Sequence, residues 1–145
     1  MGRASYDNSE INCLSTRGML IRVGDFLSTG GFHPRLIPHY LSDLEFTMRA
    51  HKRGMHLMIH PDFKVYIDFD TTGVRELGGE TFFHYVKKIF SNRAAMNPIH
   101  WSNFILLHSP GKYKLSNLRS IWISVYKQGI IDRLLPQIRK AFKGT

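Results

Sequence analysis

Apolar residues in the first half of the chain fall in short runs, which predict strands on either side of a turn. The run at 18–23 is bounded by glycine and has the length of a strand. Residues 56–60 predict a second strand, and residues 64–68 predict a third strand or its continuation. Between the first two runs, Gly30 and Gly31 predict a tight turn, because glycine adopts backbone angles that other residues resist.

A helix is predicted over residues 42–54. Ser42 and Glu45 match a capping box, in which the serine hydroxyl accepts a hydrogen bond from the Glu45 amide and the glutamate reaches back. Gly54 is placed to end the helix. The order strand, turn, loop, helix and strand predicts part of an α/β unit, with a few strands and one short helix.

The second half of the chain has helical spacing instead. Apolar residues recur every three or four positions, which predicts amphipathic helices over about 83–90, 118–125 and 131–142. Gly129 and Pro136 predict a break or a bend in the apolar stripe that ends at residue 142.

Charge divides the chain at the same place. The 145 residues carry a formal net charge of +9. Residues 1–80 hold nine Lys or Arg against ten acidic residues, whereas residues 81–145 hold eleven against Asp132 alone. We therefore predict two parts with different tasks, a near-neutral part over 1–80 and a basic amphipathic helical tail over 81–145.

Composition narrows the class of protein. A content of 43% hydrophobic and 21% charged residues is typical of a globular chain and excludes wholesale disorder. The lone Cys13 allows no intramolecular disulfide, which favours a reducing compartment. The longest aliphatic or aromatic run lies at 104–107, far short of the roughly 18 residues that a membrane span needs.

An ordered set of motifs spans residues 18–61. It comprises an apolar pair before an arginine, a diglycine turn with phenylalanine, an acid-x-acid helix start, a further arginine, a glycine, and a proline: Leu20-Ile21-Arg22, Gly30-Gly31-Phe32, Asp43-Leu44-Glu45, Arg49, Gly54 and Pro61. No single motif is specific. Their order and separations resemble the acceptor half of family 2 glycosyltransferases with the GT-A fold, of the non-processive kind that builds bacterial surface polysaccharides.

The resemblance implies a partial GT-A fold followed by an α-helical C-terminal region. It also implies transfer of a sugar, with inversion, from a nucleotide-sugar to a glycan or lipid-linked acceptor in polysaccharide and cell-envelope biosynthesis. Such a catalytic domain needs about 200 or more residues, including a nucleotide-binding half. We therefore expect the chain to be a C-terminal part that lacks its donor half, whether by truncation, a misplaced start or a separate donor-binding chain, and to be inactive alone.

Asp43 matches the acid that these transferases use as their general base. Inversion needs a carboxylate that takes a proton from the acceptor hydroxyl as the hydroxyl attacks the anomeric carbon. A carboxylate in the first turn of a helix is held by capping contacts and by the positive end of the helix dipole, which suits it to this role. The alternative is that Asp43 and Glu45 only cap the helix.

The resemblance also implies substrate contacts. Gly30 and Gly31 would shape the turn where donor and acceptor sugars meet, and Phe32 would pack beneath that turn or belong only to the core. His39 and Glu45 are further candidate substrate-binding residues. A solvated loop position explains the histidine equally well, and a structural role explains the glutamate.

Four nearby residues depart from the family pattern or have a simpler explanation. His33 occupies the position where the family usually has an acid, and Arg49 is predicted to form a structural ion pair. Asp68 and Asp70 resemble the DxD motif that holds a metal and a nucleotide diphosphate, but they follow the acceptor segment, whereas the motif precedes it. We therefore predict no metal site here, and the Mg²⁺ or Mn²⁺ expected for the complete enzyme would take its ligands outside this chain.

The basic tail holds ten of the eighteen aromatic residues, interleaved with lysine and arginine. Basic amphipathic helices with Trp and Tyr suit an anionic bilayer surface, where each nearby cation contributes about 1 kcal/mol. This predicts a cytoplasmic protein attached peripherally to the inner face of the membrane, unless the stripe packs against the core or the absent half. The other possibilities are a non-catalytic partner of another transferase and a basic membrane- or nucleic-acid-binding module, although no nucleic-acid-binding signature is present.

Overall fold

The computed structural model describes residues 11–60, 62–66 and 81–143. Every regular element in these ranges is a helix, and none of the described residues forms a strand. The predicted α/β architecture, a partial GT-A fold with a few strands, is therefore wrong. Residues 56–60 and the described part of 64–68 are neither helix nor strand, and the run at 18–23 ends where the first helix begins. A strand depends on a hydrogen-bonded neighbour, which a local apolar pattern cannot reveal.

The chain divides into two compact units. In the described part, the first unit comprises residues 11–35 and 41–66 and contains α1 (Val23–Thr29) and α2 (Ser42–Lys52). The rings of Phe26, Phe32 and Phe46 form a triangle with centroids 5.2–5.3 Å apart. Such edge-on and tilted contacts are the preferred packing of aromatic side chains. The helix predicted over 42–54 is confirmed, although it ends at Lys52.

Helix α2 begins without the predicted capping box. Its N-cap is Leu41, whose φ of 71° lies in the left-handed region, and no side chain caps the helix. The Glu45 amide donates to the Leu41 carbonyl at 2.8 Å, while Ser42 is already the first helical residue. A left-handed backbone costs a residue other than glycine about 1–2 kcal/mol. The Leu41 side chain is buried, so its packing offsets part of this strain.

The second unit comprises, in the described part, residues 36–40 and 81–143. Its helices are α3 (Phe82–Ile89), α4 (Pro98–His108), α5 (Gly111–Tyr126), a π-helical segment (Lys127–Leu134) and α6 (Leu135–Lys143). Helix α5 packs against α4, and the π-helical segment packs against α3. The three helical stretches predicted for this part of the chain are confirmed.

The predicted interruption takes the form of the π-helical segment. The chain stays helical from Gly111 to Lys143, but its hydrogen bonding widens from Lys127 to Leu134. Gly129 makes room for the buried Tyr85, since a Cβ at this glycine would lie 3.1 Å from the Tyr85 Cε1. The Arg133 guanidinium carbon lies 4.3 Å from the centre of the same ring, which favours a cation–π contact. Burial raises the pKa of Tyr85.

Within the described ranges, no helix combines the length and the apolar character that a bilayer span requires.

Helix α4 starts at a buried polar cap. The Asn97 Oδ1 accepts hydrogen bonds from the Ile99 amide at 2.9 Å and the His100 amide at 3.4 Å, and its amide nitrogen donates to the Ser91 carbonyl at 3.0 Å. The His100 side chain is buried in the first turn, and its Nδ1 has no hydrogen-bond partner among the described residues. Burial therefore lowers the pKa of His100.

This buried imidazole predicts acid sensitivity of folding. Because the pKa of His100 is lower in the folded state, the unfolded chain binds the proton first as the pH falls below about 6.5. The free energy of unfolding should therefore decrease with acidification more steeply in the wild type than in His100→Gln. Urea unfolding of both proteins from neutral to mildly acidic pH measures this difference. Parallel stability curves throughout that range would contradict it.

Candidate functional site

The guanidinium of Arg49 joins the diglycine turn to helix α2. Its Nε and Nη2 donate to the two carboxylate oxygens of Glu45, each at 2.9 Å. Its Nη2 also donates to the Gly31 carbonyl at 2.6 Å, and its Nη1 donates to the Thr29 carbonyl. The Glu45 side chain is only 2% exposed, so water screens this charge pair little. The structural ion pair predicted for Arg49 is confirmed.

The turn itself depends on the backbone freedom of glycine. Gly30 ends α1 with a φ of 90°, and Gly31 follows with a φ of 62°, both in the left-handed region. Their amides donate to the Leu27 and Phe26 carbonyls at 2.9 and 3.0 Å. A Cβ at Gly31 would also lie 3.3 Å from the Phe26 ring. Glycine therefore lets the chain reverse so that the carbonyls at 29 and 31 face Arg49.

Phe32 packs with the core aromatic rings, and its role beneath a sugar-binding turn stays a prediction. Its ring packs against Phe26 and Phe46, yet the residue remains 40% exposed. The next residue, His33, has its Nε2 4.0 Å from the Glu45 Oε1. The turn thus carries a partly exposed aromatic ring and an imidazole beside a buried carboxylate.

Asp43 lies in the first turn of α2 and connects that turn to the preceding segment of the chain. Its Oδ2 accepts from the Thr16 amide at 3.1 Å and from the Ser15 hydroxyl at 3.2 Å, with the Thr16 hydroxyl more distant at 3.5 Å. Its Oδ1 accepts from the Leu44 amide at 2.9 Å. The side chain is half-buried, so several donors orient the carboxylate while part of it remains accessible to solvent.

A second anchor holds the same segment against α2. The Leu14 amide donates to the Thr47 hydroxyl oxygen at 3.0 Å, and Thr47 is buried. Ser15 and Thr16 were not predicted as site residues, because they lie in a stretch without apolar periodicity. The one signal in the sequence was the presence of two neighbouring hydroxyl groups, which can donate hydrogen bonds.

Not every predicted residue belongs to the first unit. His39 is part of the second unit, where it is exposed and its ring centroid lies 4.7 Å from that of Tyr40. Its role as a substrate contact stays a prediction. Asp68 and Asp70 lie outside the described residues.

The described residues do not fit a divalent cation. Within 11–60, 62–66 and 81–143, no three side chains of the His, Cys, Asp or Glu type are grouped so that they could hold a metal ion. No family model, curated protein or solved structure matches the chain.

The Arg49 contacts predict a large loss of stability in Arg49→Ala. Removing the guanidinium leaves the Glu45 carboxylate buried without its cation, which costs about 3 kcal/mol or more of the free energy of unfolding. Arg53→Ala is the matched control, because its guanidinium makes one exposed hydrogen bond to the Ser28 carbonyl at 3.0 Å, a contribution of about 1 kcal/mol. Denaturant unfolding compares the two variants, and equal losses would contradict the role given to Arg49.

The turn geometry predicts opposite effects of two Gly→Ala substitutions. Gly31→Ala should destabilise the protein by about 1–2 kcal/mol, because alanine resists the left-handed φ. Gly24→Ala should stabilise it by up to about 1 kcal/mol, because Gly24 lies in α1 with open space around the added methyl group. Thermal and denaturant unfolding measure both. A stabilising Gly31→Ala would show that the turn does not require glycine.

Proposed function

We propose that the chain carries the acceptor side of an inverting glycosyltransferase. It would transfer a sugar from a nucleotide-sugar to a glycan or lipid-linked acceptor during polysaccharide assembly. One observation carries the proposal: Arg49 binds both the acid-x-acid helix start, through Glu45, and the diglycine turn, through the carbonyls at 29 and 31. Motifs separated along the chain thereby meet around one buried charge pair.

Asp43 is the proposed general base. A carboxylate offers about four lone-pair positions, and among the described residues the Asp43 Oδ1 accepts one hydrogen bond, from the Leu44 amide. A lone pair on this oxygen therefore remains for the proton of an acceptor hydroxyl. The Ser15 and Thr16 donors hold the other oxygen, which fixes the direction in which Oδ1 points. Such orientation by surrounding hydrogen bonds is what a positioned base requires.

The strained backbone beside Asp43 supports the same assignment. Leu41 keeps a left-handed φ two residues before the carboxylate. Backbone strain of this kind persists where the surrounding structure imposes it, and it is concentrated at active and binding sites. If Asp43 only helped to cap the helix, Ser42 could have served as an ordinary N-cap residue, and the left-handed backbone at Leu41 would not be needed.

The remaining substrate assignments follow from the turn. The exposed part of Phe32 offers an apolar surface for a sugar ring, and Gly30 and Gly31 shape the turn that carries Phe32. We assign to Glu45 the positioning of the turn through Arg49, because its side chain is only 2% exposed. We assign the donor diphosphate and any Mg²⁺ or Mn²⁺ to residues outside this chain. We place the reaction in the cytoplasm, on the inner face of the membrane when the acceptor is lipid-linked.

Loss of the base predicts loss of transfer. Asp43→Asn should lower the rate by a factor on the order of 10² to 10⁴, because the amide cannot take up the proton. The assay uses an extract of the source organism from which the gene for this chain has been deleted, supplied with labelled nucleotide-sugars. Adding the purified wild-type chain should restore incorporation of label into glycan, and adding Asp43→Asn should not.

The matched control is Asp25→Asn, which removes the same charge from the exposed face of α1. This variant should restore incorporation as the wild type does. Circular dichroism of all three proteins checks that each is folded. Restoration by Asp43→Asn at the wild-type rate would remove Asp43 from the role. An extract that incorporates label equally well without the chain would contradict the proposed function.

A further inference from the structure

Helix α6 is amphipathic, yet its apolar side lies open to solvent. All its side chains from Leu135 to Phe142 are exposed, including Ile138. Its large apolar residues are Leu135, Ile138 and Phe142. Because they are separated by three and four positions, they share one face of the helix. In the described part of the chain, α6 makes no extensive contact with any helix other than the π-helical segment that it continues.

One positive charge lies beside this face. Arg139 is exposed, four positions after Leu135 and three before Phe142, which places it next to the apolar stripe. Lys140 is exposed on the opposite side of the helix, and α6 contains no acidic residue. The one acid of residues 81–145, Asp132, lies in the preceding π-helical segment, so the stripe belongs to a strongly basic part of the chain.

We propose that α6 is a docking surface for an anionic lipid bilayer, on which it lies in the plane of the interface. A helix of this kind buries its apolar face about 5–10 Å below the headgroups while its Lys and Arg side chains meet the lipid phosphates. The stripe favours lipid over nucleic acid, because Leu135 and Ile138 cannot stack on bases. Charge complementarity selects an anionic rather than a neutral surface.

The base of α6 is held in place by the second unit. The π-helical segment packs on α3, where the Arg133 guanidinium covers the buried Tyr85 ring. The N-terminal end of α6 is therefore anchored by the packing of the π-helical segment. Its apolar face is already exposed, so no core needs to unpack before the helix binds a bilayer. This inference concerns the second unit alone and does not depend on the proposed transferase activity.

Binding of the full chain to large vesicles tests the proposal. Vesicles of equimolar phosphatidylcholine and phosphatidylglycerol are compared with vesicles of phosphatidylcholine alone by co-sedimentation. We expect binding to the anionic vesicles that weakens as salt is added, and much weaker binding to the neutral ones. Each cation near the surface contributes about fivefold to the partition coefficient, so Arg139→Gln should lower it about fivefold.

The matched control removes one positive charge elsewhere. Arg17→Gln changes the net charge equally, at an exposed position of the first unit, and should leave the partition coefficient unchanged. Leu135→Ser combined with Ile138→Ser should also weaken binding, and since both residues are exposed, these variants should fold as the wild type does.

Three results would overturn the proposal. The first is equal binding to neutral and anionic vesicles. The second is an equal loss of binding in the α6 and first-unit charge variants, which would show a nonspecific effect of net charge. The third is absence of vesicle binding together with a dimer that Leu135→Ser and Ile138→Ser abolish, since a second copy of the chain would then cover this face.

Discussion

The buried pairing of Arg49 with Glu45 fixes the geometry of the first unit. Burying two charges is costly unless their remaining hydrogen-bonding capacity is satisfied, and here the guanidinium meets that requirement by bonding to the carbonyls of Thr29 and Gly31. Gly30 and Gly31 must adopt left-handed backbone angles to present those carbonyls. The ring of Phe32, which follows them, then packs against Phe26 and Phe46. The position of the turn beside α2, on which the proposed chemistry rests, follows from this one pair.

The second unit is held together by different means. Its core is largely apolar, and its least regular feature, the π-helical segment, places Gly129 and Arg133 against Tyr85. The excess positive charge of the chain belongs to this part, and α6 exposes some of it beside an apolar stripe. A catalytic site in one unit and a lipid-binding surface in the other would suit a transferase that acts on an acceptor held in a membrane.

Helices were predictable from the sequence where the apolar spacing was strong, as in α2, α3 and α5, because amphipathic periodicity is a local property. Strands were not predictable, because residues 18–23 and 56–60 carry strand-like composition while a strand requires a partner that no local pattern specifies. A structural ion pair was predicted for Arg49, but its partner, Glu45 one helical turn earlier, was identified only by the structure. The donors to Asp43, from residues 15–16, could not be predicted, because they come from a segment without periodicity that tertiary structure brings to α2.

Saccharide binding at the diglycine turn is the most direct test of a sugar-transfer site in the first unit. Amide resonances of the ¹⁵N-labelled chain would be followed by NMR during titration with oligosaccharides and with nucleotide-sugars, and compared between the wild type and Arg49→Lys. If Arg49 assembles the site, saccharides should shift the amides of Gly30, Gly31 and Phe32 in the wild type, and these shifts should be lost or weakened in a folded Arg49→Lys. If neither the oligosaccharides nor the nucleotide-sugars shift these three amide resonances in the folded wild type, the site does not bind sugar and the proposed function is wrong.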